Sequence, residues 1–221
     1  MAKPLTIAPA AESELGSLAN WYRAMDPAMP FEPDDTMHER YVRAQRAGVL
    51  GSALGRSDRA TLKKALDYPD FVDKFLSRTL VLAARRAGQT VGVLVMKPPE
   101  IWYLEMIRQL EAAEASVDVI GDFHTGCLLG MCKLDLVYVS GEHRGRGIGS
   151  RLVRRAIDTA RKSAGQNLYG QFRNESRAAL DPFYRRLGFE IAEPGAAIAS
   201  GIPGGFGIYT ADTETLFSRR P

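Results

Sequence analysis

Arg144-Gly145-Arg146-Gly147-Ile148-Gly149 stands where an apolar strand pattern gives way to an amphipathic helix pattern, and that junction decides the fold. Upstream, Leu134, Leu136 and Tyr138 alternate with Val137 and Val139 in a short β-rich run that reads as a mostly buried strand. Downstream, Ile148, Leu152, Val153, Ala156, Ile157 and Ala160 recur at helical spacing until Gly165 closes the element. Between them three glycines let the backbone turn tightly and leave main-chain N–H groups open to a bulky anion. The first helical turn adds unpaired donors and the positive end of the helix dipole. A phosphate or pyrophosphate is the natural guest. Spacing excludes two phosphate loops: no Lys-Ser or Lys-Thr follows the glycines as a Walker loop requires, and Gly145, Gly147 and Gly149 run G-x-G-x-G rather than G-x-G-x-x-G. What remains is R-x-x-G-x-G, formed by Arg144, Gly147 and Gly149.

A second pattern follows. Asn167 to Arg173 reads as another strand, and after it comes Phe183-Tyr184-Arg185-Arg186-Leu187-Gly188-Phe189. Taken together, in this order and at this distance, the two motifs resemble those of the GNAT superfamily of acyl-CoA-dependent N-acyltransferases. The resemblance runs from Leu134 to Phe189, about a quarter of the chain. It implies an α/β fold with a mixed, mostly antiparallel central sheet flanked by helices, and acetyl-CoA as the acyl donor.

The resemblance also implies roles for individual residues. The pyrophosphate would lie on Arg144, Gly145, Arg146, Gly147, Ile148, Gly149 and Ser150. The pantetheine arm would pair with the backbone of Leu136, Val137, Tyr138 and Val139, because the neighbouring strand diverges in this family. Tyr184 falls at the position from which many members protonate the departing thiolate, although a Tyr beside Phe183 is also ordinary core. Asp135 is the candidate base, on the expectation that it shares a face with Val137 and Val139; an ion pair with Lys133 explains it equally well. Glu105, Asp122 and His124 are alternatives. The helix leading to Tyr184 usually begins at an Asn seven residues earlier, where this chain has Arg177, so Asn174 is the stand-in as a cofactor contact. Pro182 implies that this helix starts late, with Asp181 as cap, or follows a longer loop.

The implied activity is transfer of an acetyl group to a primary amine, on a small molecule or on a peptide or protein. A catalytically weak acyl-CoA-binding regulator is the alternative. Composition agrees with a globular enzyme: 221 residues, 45% hydrophobic and 25% charged. A net charge of +3 demands no polyanionic partner, and the arginines of residues 144–161 alternate with core positions without an aromatic platform, so no nucleic-acid partner is expected. Cys127 and Cys132 lack histidines at ligand spacing, so no metal is expected, and two buried thiols are favoured over a disulfide. Neither a signal peptide nor a long apolar run is visible, which points to a cytoplasmic monomer or homodimer.

Along the chain, one N-acetyltransferase domain over residues 1–221 is expected, with a helical elaboration at 26–78 and an insertion at 98–131. The elements expected are a strand at Leu5 to Ala8, a helix at Ala11 to Met25, a Pro27–Pro33 loop, and a helix from Thr36 to Ala47 capped by Asp34 and Asp35. Further on come a helix at Asp58 to Leu66, a hairpin around Ala87-Gly88-Gln89 and a helix at Ile101 to Ala115. The insertion is a candidate for substrate selectivity or for an oligomer contact. Phe189 to Ala192 and Phe206 to Tyr209 read as the last two strands, with Gly195 to Gly205 a flexible excursion between them that lies over the acceptor site or simply on the surface.

Overall fold

The computed structural model describes residues 4–26 and 35–221. The Pro27–Pro33 loop and the Asp34 cap lie outside the described residues. In chain order the elements are β1 (Leu5–Pro9), α1 (Glu12–Leu15), α2 (Leu18–Met25), α3 (Asp35–Arg46), α4 (Asp58–Leu66), α5 (Phe71–Ser77), β2 (Leu80–Arg86) and β3 (Gln89–Lys97). Then come α6 (Glu100–Ala112), α7 (Val117–Gly130), β4 (Met131–Val139), α8 (Ile148–Arg161), β5 (Asn167–Arg173), α9 (Arg177–Arg185), β6 (Glu190–Ile191), β7 (Ile198–Ala199), β8 (Gly207–Ile208) and β9 (Glu214–Arg219).

Among the described residues, seven strands form one sheet in the order β1-β2-β3-β4-β5-β9-β6. Every neighbouring pair is antiparallel except β4 with β5, which α8 joins by a crossover. The β2–β3 hairpin turns on Ala87 and Gly88, both at positive φ (57° and 82°), the backbone that matches strand twist in a two-residue loop.

Each sheet face has its own core. On one, α8 lays Ile148, Leu152, Val153, Ala156, Ile157 and Ala160 over Leu94, Met96, Leu134 and Leu168, and Tyr184, Leu187 and Phe189 continue the layer. On the other, Leu18 and Tyr22 of α2 and Tyr41 of α3 cover Val93, Val95 and Leu136. Beyond them a third apolar group joins Tyr103 of α6 and Phe123, Cys127 and Leu128 of α7 to Tyr169 and Leu216. Cys127 and Cys132 are buried free thiols.

Several expected elements are corrected. The first helix is interrupted at Gly16 and Ser17, so the single helix expected is two, α1 and α2. α5 and α7 go beyond the expected helices: α7 carries glycines at 121, 126 and 130 that lower its intrinsic propensity, and packing holds it instead. A Cβ at Gly126 would meet Ile202 at 2.8 Å, so the missing side chain is what lets the chain at 202 seat there. The excursion at 195–205 is thereby pinned: Trp102 Nε1 donates to the Gly207 carbonyl at 3.2 Å, Phe206 packs 4.8 Å from Phe123, and Asn167 donates to the carbonyls of Ala199 and Ser200. The expected strand at Phe206 to Tyr209 is only the two-residue β8, paired with β7 outside the main sheet, and the place beside β5 belongs to β9.

Arg78, fully buried between α5 and β2, also went unforeseen. Its guanidinium donates to the carbonyls of Leu128 (3.1 Å) and Leu129 (2.7 Å), which the last turn of α7 leaves without helical partners, and of Ser163 (2.6 Å), just past the end of α8. β4 begins immediately after α7, so Arg78 fixes where the central strand starts.

Candidate active site

β4 and β5 pair only from Met131↔Asn167 to Leu134↔Gly170. Beyond that point β4 stays with β3 as far as Val139, while β5 follows β9 through Arg173. The strands therefore diverge, and among the described residues the β4 edge from Asp135 to Val139 faces β5 with no ladder partner. Leu136 is core, Val137 and Val139 pack toward α8, and Tyr138 meets Trp21 with ring centroids 5.5 Å apart. Ser140 N–H bonds to the Val91 carbonyl of β3, so by alternation the backbone groups of Leu136 and Tyr138 turn to β3 and those of Val137 and Val139 turn to the open edge, where they can serve a ligand.

At the open end of this split the chain makes a short 3-10 turn over Gly141–His143, and Arg144 folds back so that its Nε donates to the Val139 carbonyl at 2.9 Å. The same guanidinium lies 5.4 Å from the centre of the Tyr138 ring. Gly145 and Gly147 have φ of 72° and 74°, and a Cβ at either would meet nothing within 4 Å, so backbone conformation is what selects glycine there. Gly149 differs: its Cα faces the Phe183 ring, where a Cβ would lie at 3.5 Å, and the small residue lets α8 pack close to α9. Gly147 is the residue before α8, no side chain caps the helix, and the Arg151 N–H is the one that returns to the Gly147 carbonyl. The N–H groups of Ile148, Gly149 and Ser150 are left for an external acceptor. Ile148 itself is core and Arg146 is exposed.

Tyr184 belongs to the face that carries α8. Its ring stacks on Phe217 at 3.8 Å, lies parallel to Phe172 at 6.1 Å, and meets Phe183 and Phe189 edge-on. Burial among these rings pushes the phenol above its ordinary value near 10. α9 starts at Arg177, seven residues before Tyr184, with Pro182 inside it, so neither a late start nor a longer loop applies. Pro182 leaves the Ala178 carbonyl without its helical donor, and Ala178 is exposed, so water can supply the bond. Asn174 precedes α9, but both ends of its amide are engaged: Nδ2 donates to the Asp212 carbonyl at 2.8 Å and Oδ1 accepts from Thr215 at 2.7 Å. These bonds fasten the end of β5 to β9, which is a structural use.

Asp135 requires a correction. The β3–β4 register shifts so that Leu136 faces Val95 and Leu134 faces Met96, leaving Asp135 as the extra residue of a β-bulge. Alternation resets there. Asp135 therefore shares its face with Lys133, Leu136 and Tyr138, not with Val137 and Val139. Its carboxylate accepts from the Tyr22 hydroxyl at 2.7 Å and pairs with Lys97 at 3.0 Å and Lys133 at 3.3 Å. Burial by itself would raise this carboxyl; Lys97, Lys133 and the Tyr22 hydroxyl outweigh it and hold the group well below the usual carboxylate range. Such a carboxylate has little affinity for a proton. The ion-pair alternative describes it.

The other base candidates lie elsewhere. Glu105 is exposed beside Arg108 and Gln109, and Asp122 is exposed on α7. His124 shares a 2.8 Å hydrogen bond with Tyr103 inside an aromatic group, where burial lowers its pKa, with Lys74 adding to the effect. Above the split α2 forms a strap, bonded to β4 through Tyr22 and to the end of β5 through a 2.8 Å Asp26–Arg173 ion pair. Among the described residues no group of three His, Cys, Asp or Glu side chains could hold a metal ion, and no helix is long and apolar enough to cross a membrane.

With this geometry in hand, comparison with known proteins places the chain. Residues 77–191 match the acetyltransferase (GNAT) domain. No curated protein sequence gives a significant match. Among solved structures, yncA of Salmonella typhimurium, determined with its cofactor acetyl-CoA, aligns with a TM-score of 0.54 at 16% identity over 98% of this chain and 94% of its own. An N-acetyltransferase of Staphylococcus aureus Mu50 aligns at 0.55 and 10% identity, covering 98% of each chain. The ribosomal-protein-alanine N-acetyltransferase of Brucella melitensis aligns at 0.52 and 18% identity, over 98% of this chain and 99% of its own. At these identities the likeness is one of fold.

Proposed function

Because the chain belongs to the GNAT acetyltransferase domain family, we propose that it moves the acetyl group of acetyl-CoA directly onto a primary amine, as a single N-acetyltransferase domain. The observation that carries this reading is the end of the β4–β5 ladder at Leu134↔Gly170, beside a glycine turn that opens the first turn of α8 to an anion. Pantetheine fits the split, and its amides pair with the free β4 edge. Pyrophosphate fits the N–H groups of Ile148, Gly149 and Ser150, with Arg144 and Arg146 beside them.

In the reaction the amine nitrogen attacks the thioester carbonyl, the C–S bond breaks, and the thiolate leaves. An N–H of the β4 edge polarises the carbonyl. Tyr184, whose phenol burial holds above its ordinary value and so in the protonated form at neutral pH, offers its hydroxyl to the departing sulfur. Asp135, held by two ammonium groups, is a poor proton acceptor, so the amine enters as its free base and the proton it sheds goes to water. That division of labour leaves Asp135 a positioning residue.

The experiment is a thermal scan with acetyl-CoA followed by thiol release with an amine panel. At 100-fold excess over its dissociation constant the ligand adds about 2.7 kcal/mol, which in a chain of this size raises Tm by about 5 to 10 °C. Thiol release that depends on an amine then supports transfer. Stabilisation without amine-dependent release would favour the regulator, and no stabilisation by any acyl-CoA would end the enzyme reading.

A further inference from the structure

On the α2 side of the split, Lys97 and Lys133 lie directly opposite each other on paired antiparallel strands. Like charges in that register repel. The bulge at Asp135 drives a single carboxylate between them, and both ammonium groups draw on it. A second ion pair adjoins the first, Arg40 of α3 with Glu100 at the start of α6 at 3.1 Å. Tyr41, buried beneath, lies within reach of the charges of Lys97, Asp135, Arg40 and Glu100. Among the described residues, three cations thus share two carboxylates. Arg40 Nε is buried without a hydrogen-bond partner. This charged cluster is a recess only in the sense of its partial burial and keeps access to water, with the Lys97, Lys133 and Asp135 side chains 19%, 24% and 15% exposed.

Its position gives this surplus charge a meaning. Asp135 is the first β4 residue beyond the last β5 pair, so the recess lies at the apex of the split, on the face away from α8. An acceptor that reaches the thioester from this side meets two ammonium groups with one counter-ion between them. A polyamine or a lysine-rich peptide is repelled there. A carboxylate supplies the missing anion, and Lys97 and Lys133 can each turn a free N–H toward it.

Resting on the acetyl-transfer reading above, we propose that the acceptor is an amino acid, bound through its carboxylate on Lys97 and Lys133. In such a molecule a single carbon separates the amine from the carboxylate, so an anion seated on the two lysines delivers the nitrogen to the apex. Asp135, paired with both lysines, sets their positions.

The test is steady-state thiol release from acetyl-CoA with matched pairs, each an amino acid and its decarboxylated amine: phenylalanine with phenethylamine, tyrosine with tyramine, methionine with 3-(methylthio)propylamine. Spermidine and a peptide with an acidic N-terminal residue complete the panel. The amino acid of at least one pair should exceed its partner in kcat/KM by about tenfold or more, because only the amino acid gives the two partly buried ammonium groups a second anion. Lys133→Gln and Lys97→Met, each of which leaves Asp135 one ammonium partner, should collapse that ratio through KM, and Lys133→Arg should restore part of it. Calorimetric titration with acetyl-CoA provides the separate readout. Equal or better use of the decarboxylated amines, a preference for spermidine or the peptide, or a ratio unchanged in both lysine variants overturns the proposal. Acetyl-CoA binding with no turnover of any amino acid overturns it as well and leaves the cofactor site standing. Absence of acetyl-CoA binding overturns the acetyl-transfer reading itself.

Discussion

Replacing Asp135 with Asn removes the one negative charge between two ammonium groups at 3.0 and 3.3 Å and keeps the shape of the side chain. Breaking a buried ion pair by deleting one partner costs about 3 to 5 kcal/mol, and the residual exposure of these side chains favours the lower end, about 3 kcal/mol. For a chain of this length that lowers Tm by roughly 6 to 12 °C. Urea unfolding at neutral pH, fitted with a shared m-value, reads the difference directly. The pH dependence has a fixed sign. The carboxyl is lower in the folded than in the unfolded chain, so its contribution is complete above about pH 4 and drains away on acidification below it. Wild type and variant should therefore converge in stability toward acid. Lys97→Met placed on top of Asp135→Asn should recover part of the loss, because one of the two facing charges is gone. A base would behave otherwise: the variant would lose about a hundredfold or more in kcat while keeping its stability. A loss below about 0.5 kcal/mol, the range of ordinary surface changes, together with such a fall in kcat would refute the ion-pair account.

Three further outcomes follow from the same geometry. Gly147→Val puts a β-branched residue at φ 74° with no atom in its way, so the cost to folding is backbone strain of about 1 to 3 kcal/mol, while its methyl groups stand before the first turn of α8; circular dichroism should show a retained fold and calorimetry a loss of CoA affinity. Tyr184→Phe keeps the aromatic stack on Phe217 and removes only the hydroxyl, so stability should barely change while kcat falls by about a hundredfold; because burial raises the phenol, the wild-type rate should show no loss from this group up to pH 10. Arg78→Met strips three carbonyls of their donor and should cost about 3 kcal/mol or more in a urea melt, with a larger fall in Tm than any surface arginine variant.

Local patterns were legible wherever one segment alone decides the outcome. The apolar periodicity of α8, the Ala87-Gly88 turn and the glycine run at 145–149 each act within a few residues, and each appears where the sequence places it. The bulge at Asp135 was not legible, because a register shift belongs to two strands and strict alternation assigns the wrong face to every residue on one side of it. α7 was hidden by its glycines, whose benefit comes from contacts such as Gly126 with Ile202, far apart in sequence. Residues 206–209 read as the last strand, yet β9 at 214–219 is the segment that finds two strand partners, β5 and β6. Pro182 suggested a helix start, and exposure of the carbonyl it orphans explains why the helix continues through it. The candidate site divides the same way: its glycine turn is local, and the charged cluster around Asp135 needs β3, β4, α2 and α3 together.

The central claim is that acetyl-CoA lies in the β4–β5 split with its pyrophosphate on the first turn of α8. Amide hydrogen exchange with and without saturating acetyl-CoA tests it most directly. Slowed exchange centred on residues 135–139 and 147–150, with the far edge at β1 unaffected, is the predicted result. Protection that spares both segments, or no change on addition of acetyl-CoA, would contradict it.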